Sequence, residues 1–192
     1  MDYRLAIAET PDSVPGGTGI LLLHPSTGET DRIDTDFLRT DTDHMLVVST
    51  RTTAREVEQK LEHYDVDEDR ATILDTISVE RGYTRRASDH VRYVPAPDDL
   101  DSIVDQTRDF LEEHDGKRRV SIDSLTEMIY YSDVEQTRQA VEAILALLDE
   151  HDAVGLFHLA KGVHDDDVID GFAALFDGVV DLDEDGAVSG EF

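Results

Sequence analysis

The sequence contains no cysteine, which excludes disulfides, thiolate zinc sites and a cysteine nucleophile. No apolar run comes near the ~20 residues of a membrane span, and Met1-Asp2-Tyr3-Arg4 lacks a signal-peptide pattern. A cytoplasmic protein without membrane contact is therefore expected. Lysine is scarce as well: Lys60, Lys117 and Lys161 are the only three of 17 basic residues, and arginine supplies the rest. No repeat, low-complexity tract or linker divides the chain, so residues 1–192 are expected to form a single domain. A chain this long buries roughly 70% of the surface it exposes when unfolded, enough for a core without staples.

What is abundant is negative charge. Asp and Glu number 45, the net charge is -28, and the carboxylates are spread along the whole chain. Such a surface repels itself in dilute buffer, but in molar salt the Debye length is about 3 Å and the repulsion is screened. The composition resembles that of cytoplasmic proteins from salt-accumulating archaea. On that reading net charge says little about partners, because most proteins of such a cell share it.

Short apolar runs alternate with amphipathic stretches. Leu5-Ala6-Ile7, Gly19 to Leu23, His44 to Ser49, Thr72 to Asp75, Arg119 to Asp123, Val154 to Leu159 and Gly178 to Leu182 read as strands. Thr30 to Arg39, Thr53 to Tyr64, the stretch from Pro95 to Gly116, Asp133 to Glu150 and Asp165 to Phe176 read as helices. This alternation predicts an α/β fold, a mostly parallel sheet with helices on both faces. Ligands of such sheets lie beyond the carboxyl ends of the strands, here near His24, Thr50, Arg51, Asp123 and His158.

The loop after the second run is Leu23-His24-Pro25-Ser26-Thr27-Gly28-Glu29-Thr30. Against the phosphate loop G-x-x-x-x-G-K-[ST] it keeps Gly28 and Thr30 but has Leu23 for the first glycine and Glu29 for the lysine. Val120 to Leu125 looks like a Walker B strand ending in Asp123-Ser124, and Phe176 to Leu182 looks like a closing "DGV" strand. From Gly19 to Leu182 the chain thus resembles the RecA/KaiC-type ATPases of the P-loop class. The resemblance implies a RecA-like sheet, a nucleotide site at Gly28, Thr30 and Asp123, and ATP with Mg as the cofactor of an intact member. It also implies side-by-side association into a homo-oligomer.

The departures carry the functional expectation. In the family the loop lysine bridges the β- and γ-phosphates, and glutamates after the next strand polarise the attacking water. Here Glu29 faces the phosphates, and Arg51 with Thr52 replaces the glutamate pair. The expectation is a pseudo-ATPase: a non-catalytic regulatory or scaffolding domain that works through protein contacts, in signalling or transcriptional control, and carries no cofactor. The alternatives are ATP binding through a divergent loop and a metal-dependent activity at the strand ends, with His24, Asp123 and His158 as ligands. Against the metal stands the plainer reading that the two histidines bond to loop carbonyls and Asp123 caps the helix beginning near Ser124. His164 with Asp165, Asp166 and Asp167 is metal-like in composition, but an acidic helix N-terminus is its ordinary explanation.

Arg81, Arg85, Arg86, His90 and Arg92, with Tyr83 and Tyr93 between them, form a basic cluster in an acidic chain. It reads either as a docking patch for an acidic partner or a phosphate backbone, or as arginines paired with nearby carboxylates. The surrounding charge argues against nucleic acid as a partner of the domain.

Overall fold

The computed structural model describes residues 1–27, 29–85 and 88–192. The aliphatic runs become strands and the amphipathic stretches become the crossovers between them. In chain order these are β1 (Asp2–Arg4), β2 (Ser13–Pro15), β3 (Gly19–Pro25), α1 (Asp31–Arg39), β4 (His44–Ser49), α2 (Ala54–His63), β5 (Ala71–Asp75), β6 (Val91–Tyr93) and α3 (Leu100–Glu113). There follow β7 (Arg118–Asp123), α4 (Leu125–Tyr131), α5 (Val134–Glu150), β8 (Val154–Lys161), α6 (Asp166–Ala173), β9 (Gly178–Leu182) and β10 (Val188–Glu191).

Among the described residues eight strands form one sheet in the order β10-β9-β3-β8-β7-β4-β5-β6. Every neighbouring pair is parallel except β10 with β9. β8 lies between β3 and β7, as the family's strand order implies. One face of the sheet packs Ile20, Leu22, Val47 and Leu156 against the β1–β2 hairpin, Phe37 and Leu38 of α1, and Val57 and Leu61 of α2. The other packs Leu21, Val48, Ile122 and Phe157 against Ile103 and Phe110 of α3, Met128 of α4, Ile144 of α5 and Phe172 of α6. The sheet is buried on both sides, which is why its central strands read as continuous apolar runs.

Local signals set several element ends. Thr53 and Glu56 form a reciprocal capping box at the start of α2, and Asp133 caps the long α5 by accepting from the Gln136 amide. Leu5-Ala6-Ile7 corrects the sequence expectation: it is not a strand. The strand is Asp2–Arg4, where Tyr3 points in and its polar neighbours point out, and it pairs antiparallel with β2. The Leu5 amide then closes a loop on the Asp12 carbonyl at 2.9 Å. Among the described residues no helix is long and apolar enough to cross a membrane.

Candidate functional site

A strand inside a two-sided sheet normally carries apolar residues on both faces, but β7 does not. Its alternation places Arg119, Ser121 and Asp123 on the face toward α1 and α2, and all three are buried. Buried polar groups need partners, and those partners bring the other site residues together.

Arg119 lies at the end of the row away from the strand termini. Its guanidinium sits 5.3 Å from the Tyr3 ring centroid and 4.9 Å from that of Phe37, and it donates to the Arg4 carbonyl at 2.6 Å. Burial lowers its pKa to about 10 despite the attraction of Asp41 and Tyr3. With aromatic rings on it and no opening to solvent, this arginine holds the hairpin against the sheet.

Ser121 and His158 both turn to Asp34 of α1. The Ser121 hydroxyl donates to Asp34 Oδ1, His158 Nε2 lies 3.1 Å from the same oxygen, and Lys60 Nζ of α2 donates to Oδ2 at 2.8 Å. Asp34 is fully buried. Burial alone would raise its pKa, but Lys60 and the His158 hydrogen bond outweigh it and hold the carboxyl far below the ordinary carboxylate range. For Lys60 the signs are mirrored: burial lowers its pKa, and the charge and hydrogen bond of Asp34 with the charges of Asp123 and Asp31 together raise it.

Asp123 ends β7 beside His158, one register step beyond the Ile122–Phe157 pair. Arg51, just past β4, donates from Nη2 to Oδ2 at 3.0 Å. Its Nε is an ion-pair contact 3.0 Å from Oδ1, outside hydrogen-bonding alignment, so Oδ1 keeps an open acceptor position. His158 Nδ1 stands 4.0 Å from that oxygen. Burial raises the Asp123 pKa, but His158, Arg51 and Lys60 together bring it below the ordinary value. Thr50 fastens the loop behind: its amide and hydroxyl both donate to the Asp123 carbonyl, and its hydroxyl accepts from the Ser124 amide at 2.7 Å.

His24, at the end of β3, presents its ring edge-on to His158 with centroids 5.9 Å apart. Its Nδ1 donates to the Pro25 carbonyl at 2.8 Å, which leaves Nε2 as a buried acceptor without a partner. Burial is the main cause of its lowered pKa. The cluster as a whole holds two carboxylates, each with a cation of its own, so its fixed charges cancel.

The strand order thus brings His24, Asp123 and His158 to one place, as the sequence implied. Among the described residues, however, no group of three His, Asp or Glu side chains is arranged to hold a metal ion. Each of the three is turned to a different protein partner: His24 to Pro25, His158 to Asp34 and Asp123 to Arg51. The expected cap is also corrected, since the residue preceding α4 is Ser124 and the Asp123 carboxylate goes to Arg51 instead. Likewise His158 does not bond a loop carbonyl. Of the phosphate-loop residues, Gly28 lies outside the described residues. Thr30 is buried before α1, where its carbonyl accepts from the Asp34 amide at 3.0 Å. Glu29 is exposed on a cleft of about 630 Å³ between residues 6–8, α1 and the β9–β10 turn. His164 bonds Thr126 at 3.1 Å, and Asp165 precedes α6, which Asp166 and Asp167 begin, the ordinary reading of that acidic run.

Asp34 and Lys60 were not singled out from the sequence, although a signal for Asp34 exists. It lies three and four residues before Phe37 and Leu38, on the inner stripe of α1. In the basic cluster Arg92 is paired with Glu113, Arg86 lies outside the described residues, and Arg81, Arg85 and His90 are exposed.

Comparison with known proteins agrees with this architecture. The model of a family of unknown function, DUF7090, matches residues 1–192. Among solved structures, the crystal structure of a KaiC-like protein from the hyperthermophilic archaeon Pyrococcus horikoshii OT3 superimposes with a TM-score of 0.63 and 16% identity, covering 95% of this chain and 82% of that one. At that identity the likeness concerns the fold, which is RecA/KaiC-like. No curated protein matches the sequence.

Proposed function

The chain belongs to DUF7090, a family of unknown function, and we propose that it is a KaiC-like domain without nucleotide chemistry, which regulates or scaffolds through protein contacts. The observation that carries this is the Arg51–Asp123 ion pair. By the resemblance, Asp123 corresponds to the Walker B carboxylate of the RecA/KaiC-type ATPases, and Arg51 to the first of their water-activating glutamates. One substitution therefore removes the activator and puts a cation on the acid that would serve the metal. A Mg ion would have to displace a guanidinium that already neutralises its ligand.

Glu29 adds to the misfit. A carboxylate near phosphate oxygens reverses an attraction worth roughly 4 kcal/mol at 4 Å and an effective dielectric of about 20. The residues present are therefore a poor fit to Mg-ATP, and no step is derived through it.

One observation favours the second reading, ATP binding through a divergent loop: Lys60 Nζ lies 4.0 Å from Asp31 at the start of α1 and could supply the missing cation. It would first have to leave the buried Asp34. Calorimetric titration with Mg-ATP in high salt decides between the two, with a coupled phosphate-release assay alongside. No binding heat and no turnover are expected; micromolar affinity or hydrolysis would overturn the proposal.

A further inference from the structure

The chain has 45 carboxylates to share among 17 basic side chains, so an exposed arginine without an ion pair is an anomaly here. Most exposed arginines are paired: Arg32 and Arg39 with Asp36, Arg51 with Asp123, Arg70 with Asp67, Arg138 with Glu142. Apart from Arg4 on β1, the exposed arginines with no carboxylate within ion-pair distance among the described residues are Arg55, Arg81 and Arg85. All three belong to one end of the sheet.

Arg55 lines a pocket of about 430 Å³ with Ala54, Ser78, Tyr83, Thr84 and Tyr93, at the carboxyl ends of β5 and β6. Arg85 directly follows Thr84. The nearby Tyr131 and Tyr83 hydroxyls favour the charged form of Arg81 and raise its pKa. Tyr131 in turn stacks edge-on with Tyr130 at 5.2 Å. Tyr83 and Tyr130 are 51% and 81% exposed, the latter the most exposed large apolar side chain among the described residues. The pocket, Arg55, Arg81, Arg85 and Tyr83 thus gather at one end of a strongly anionic chain, with Tyr131 and Tyr130 beside Arg81.

The pocket interior discriminates between anions. Asp75 accepts from the Ala54, Ile77 and Ser78 amides and from the Ser78 hydroxyl, and Glu56 accepts from the Thr53 amide. Of the backbone donors that would cradle a phosphate at the start of α2, the Thr53 and Ala54 amides are therefore taken by carboxylates and the Glu56 amide by the Thr53 hydroxyl. What the interior offers is tyrosine ring surface and Ala54, with cations at the rim. Three guanidiniums on a chain of net charge -28 are also a weak footing for a polyphosphate backbone, whose binding rests on many neutralised phosphates.

We infer that this surface docks an acidic segment of a partner protein, which seats one apolar or aromatic side chain in the pocket beside Tyr83 and sets flanking carboxylates on Arg55, Arg81 and Arg85. The inference rests on the reading that the domain works through protein contacts, and it names the surface and the chemistry of the partner. Planar guanidinium–carboxylate pairing and tyrosine contacts are the usual anchors of such interfaces.

The test is selection of short random peptides displayed on phage against the purified chain in about 1 M KCl, where screening to about 3 Å removes bulk repulsion but not direct contacts. The expected winners carry an aromatic residue or leucine flanked by Asp and Glu. They should bind about tenfold or more weakly to Arg55→Glu/Arg85→Glu and to Tyr83→Ala, whose unfolding midpoints should match the parent. Winners without acidic enrichment, or equal binding to the charge-reversed variant, would overturn the inference. So would a mixed-sequence oligonucleotide that binds at the same salt more tightly than the peptides. ATP turnover would remove the reading of the domain while leaving the peptide result in place. Identical partners captured from a lysate by parent and variant would sink this surface and leave that reading standing.

Discussion

Arg51 and Asp123, 72 residues apart in the chain, meet through two nitrogen–oxygen contacts of 3.0 Å each. The side chain of Asp123 is 11% exposed and that of Arg51 35%, so the guanidinium is the more solvent-facing partner. The pair also ties β4 to β7 beyond their last register partners, Ser49 and Asp123. The pair thus acts as a clasp between the ends of two neighbouring strands.

Arg51→Ala is expected to destabilise the chain at neutral pH by about 1.5–3 kcal/mol, the range for hydrogen bonds to charged groups, toward the lower end because the guanidinium is partly exposed. The sign of the pH dependence follows from the depressed Asp123 pKa. That stabilisation is present above the unfolded value of about 3.9 and is lost as pH falls through the folded one. The gap between variant and parent in urea unfolding should therefore narrow toward acid. Equal stability at pH 7 would show that the clasp contributes nothing.

Asp34→Ala should be worse, about 3–5 kcal/mol, because it strands the buried Lys60 ammonium. Replacing both partners with apolar residues, Asp34→Leu with Lys60→Met, should recover much of that loss, leaving Ser121 and His158 as the unsatisfied remainder. A double-mutant cycle measures the coupling. Additive losses would contradict the ion pair.

The central sheet was legible because β3, β4, β5, β7, β8 and β9 are runs too apolar to lie anywhere but between two layers. The strands that escaped notice, β1, β2, β6 and β10, are edge or hairpin pieces of three or four residues with at most one buried side chain, such as Tyr3, Val14 or Val91, which leaves no period to read. The site divides in the same way. His24, Asp123 and His158 end up together because strand order alone decides it. The partners of Asp34 could not be read locally: Lys60 shares a stripe with Val57 and Leu61 on α2, and which of many carboxylates its ammonium reaches depends on how α1 and α2 lie on the sheet.

Salt should stabilise the fold. With a net charge of -28 and few long-range attractions, screening removes more repulsion than it weakens in contact pairs. Thermal unfolding followed from about 0.1 M to about 2 M KCl should show a rising midpoint. A flat profile would remove the halophilic reading of the composition.

His24 should make the fold sensitive to mild acid. Its ring is buried with Nε2 unpartnered, and the groups facing it are His158 on β8, Asp123 on β7 and Arg51 beyond β4. Burial, the proximity of His158 and that of Arg51 lower its pKa, against the opposing Pro25 hydrogen bond and Asp123. The unfolded imidazole, with a pKa of about 6.5, then takes up a proton before the folded one does. Stability must therefore fall as pH drops through that value, and go on falling until the folded ring also titrates. His44 and His164 are lowered by burial in the same sense, so the parent's slope is a sum. The difference between parent and His24→Gln isolates this ring, because glutamine cannot titrate. The variant should lose less stability than the parent between about pH 7.5 and pH 5. Parallel urea-unfolding curves over that range would assign the acid sensitivity to the other histidines.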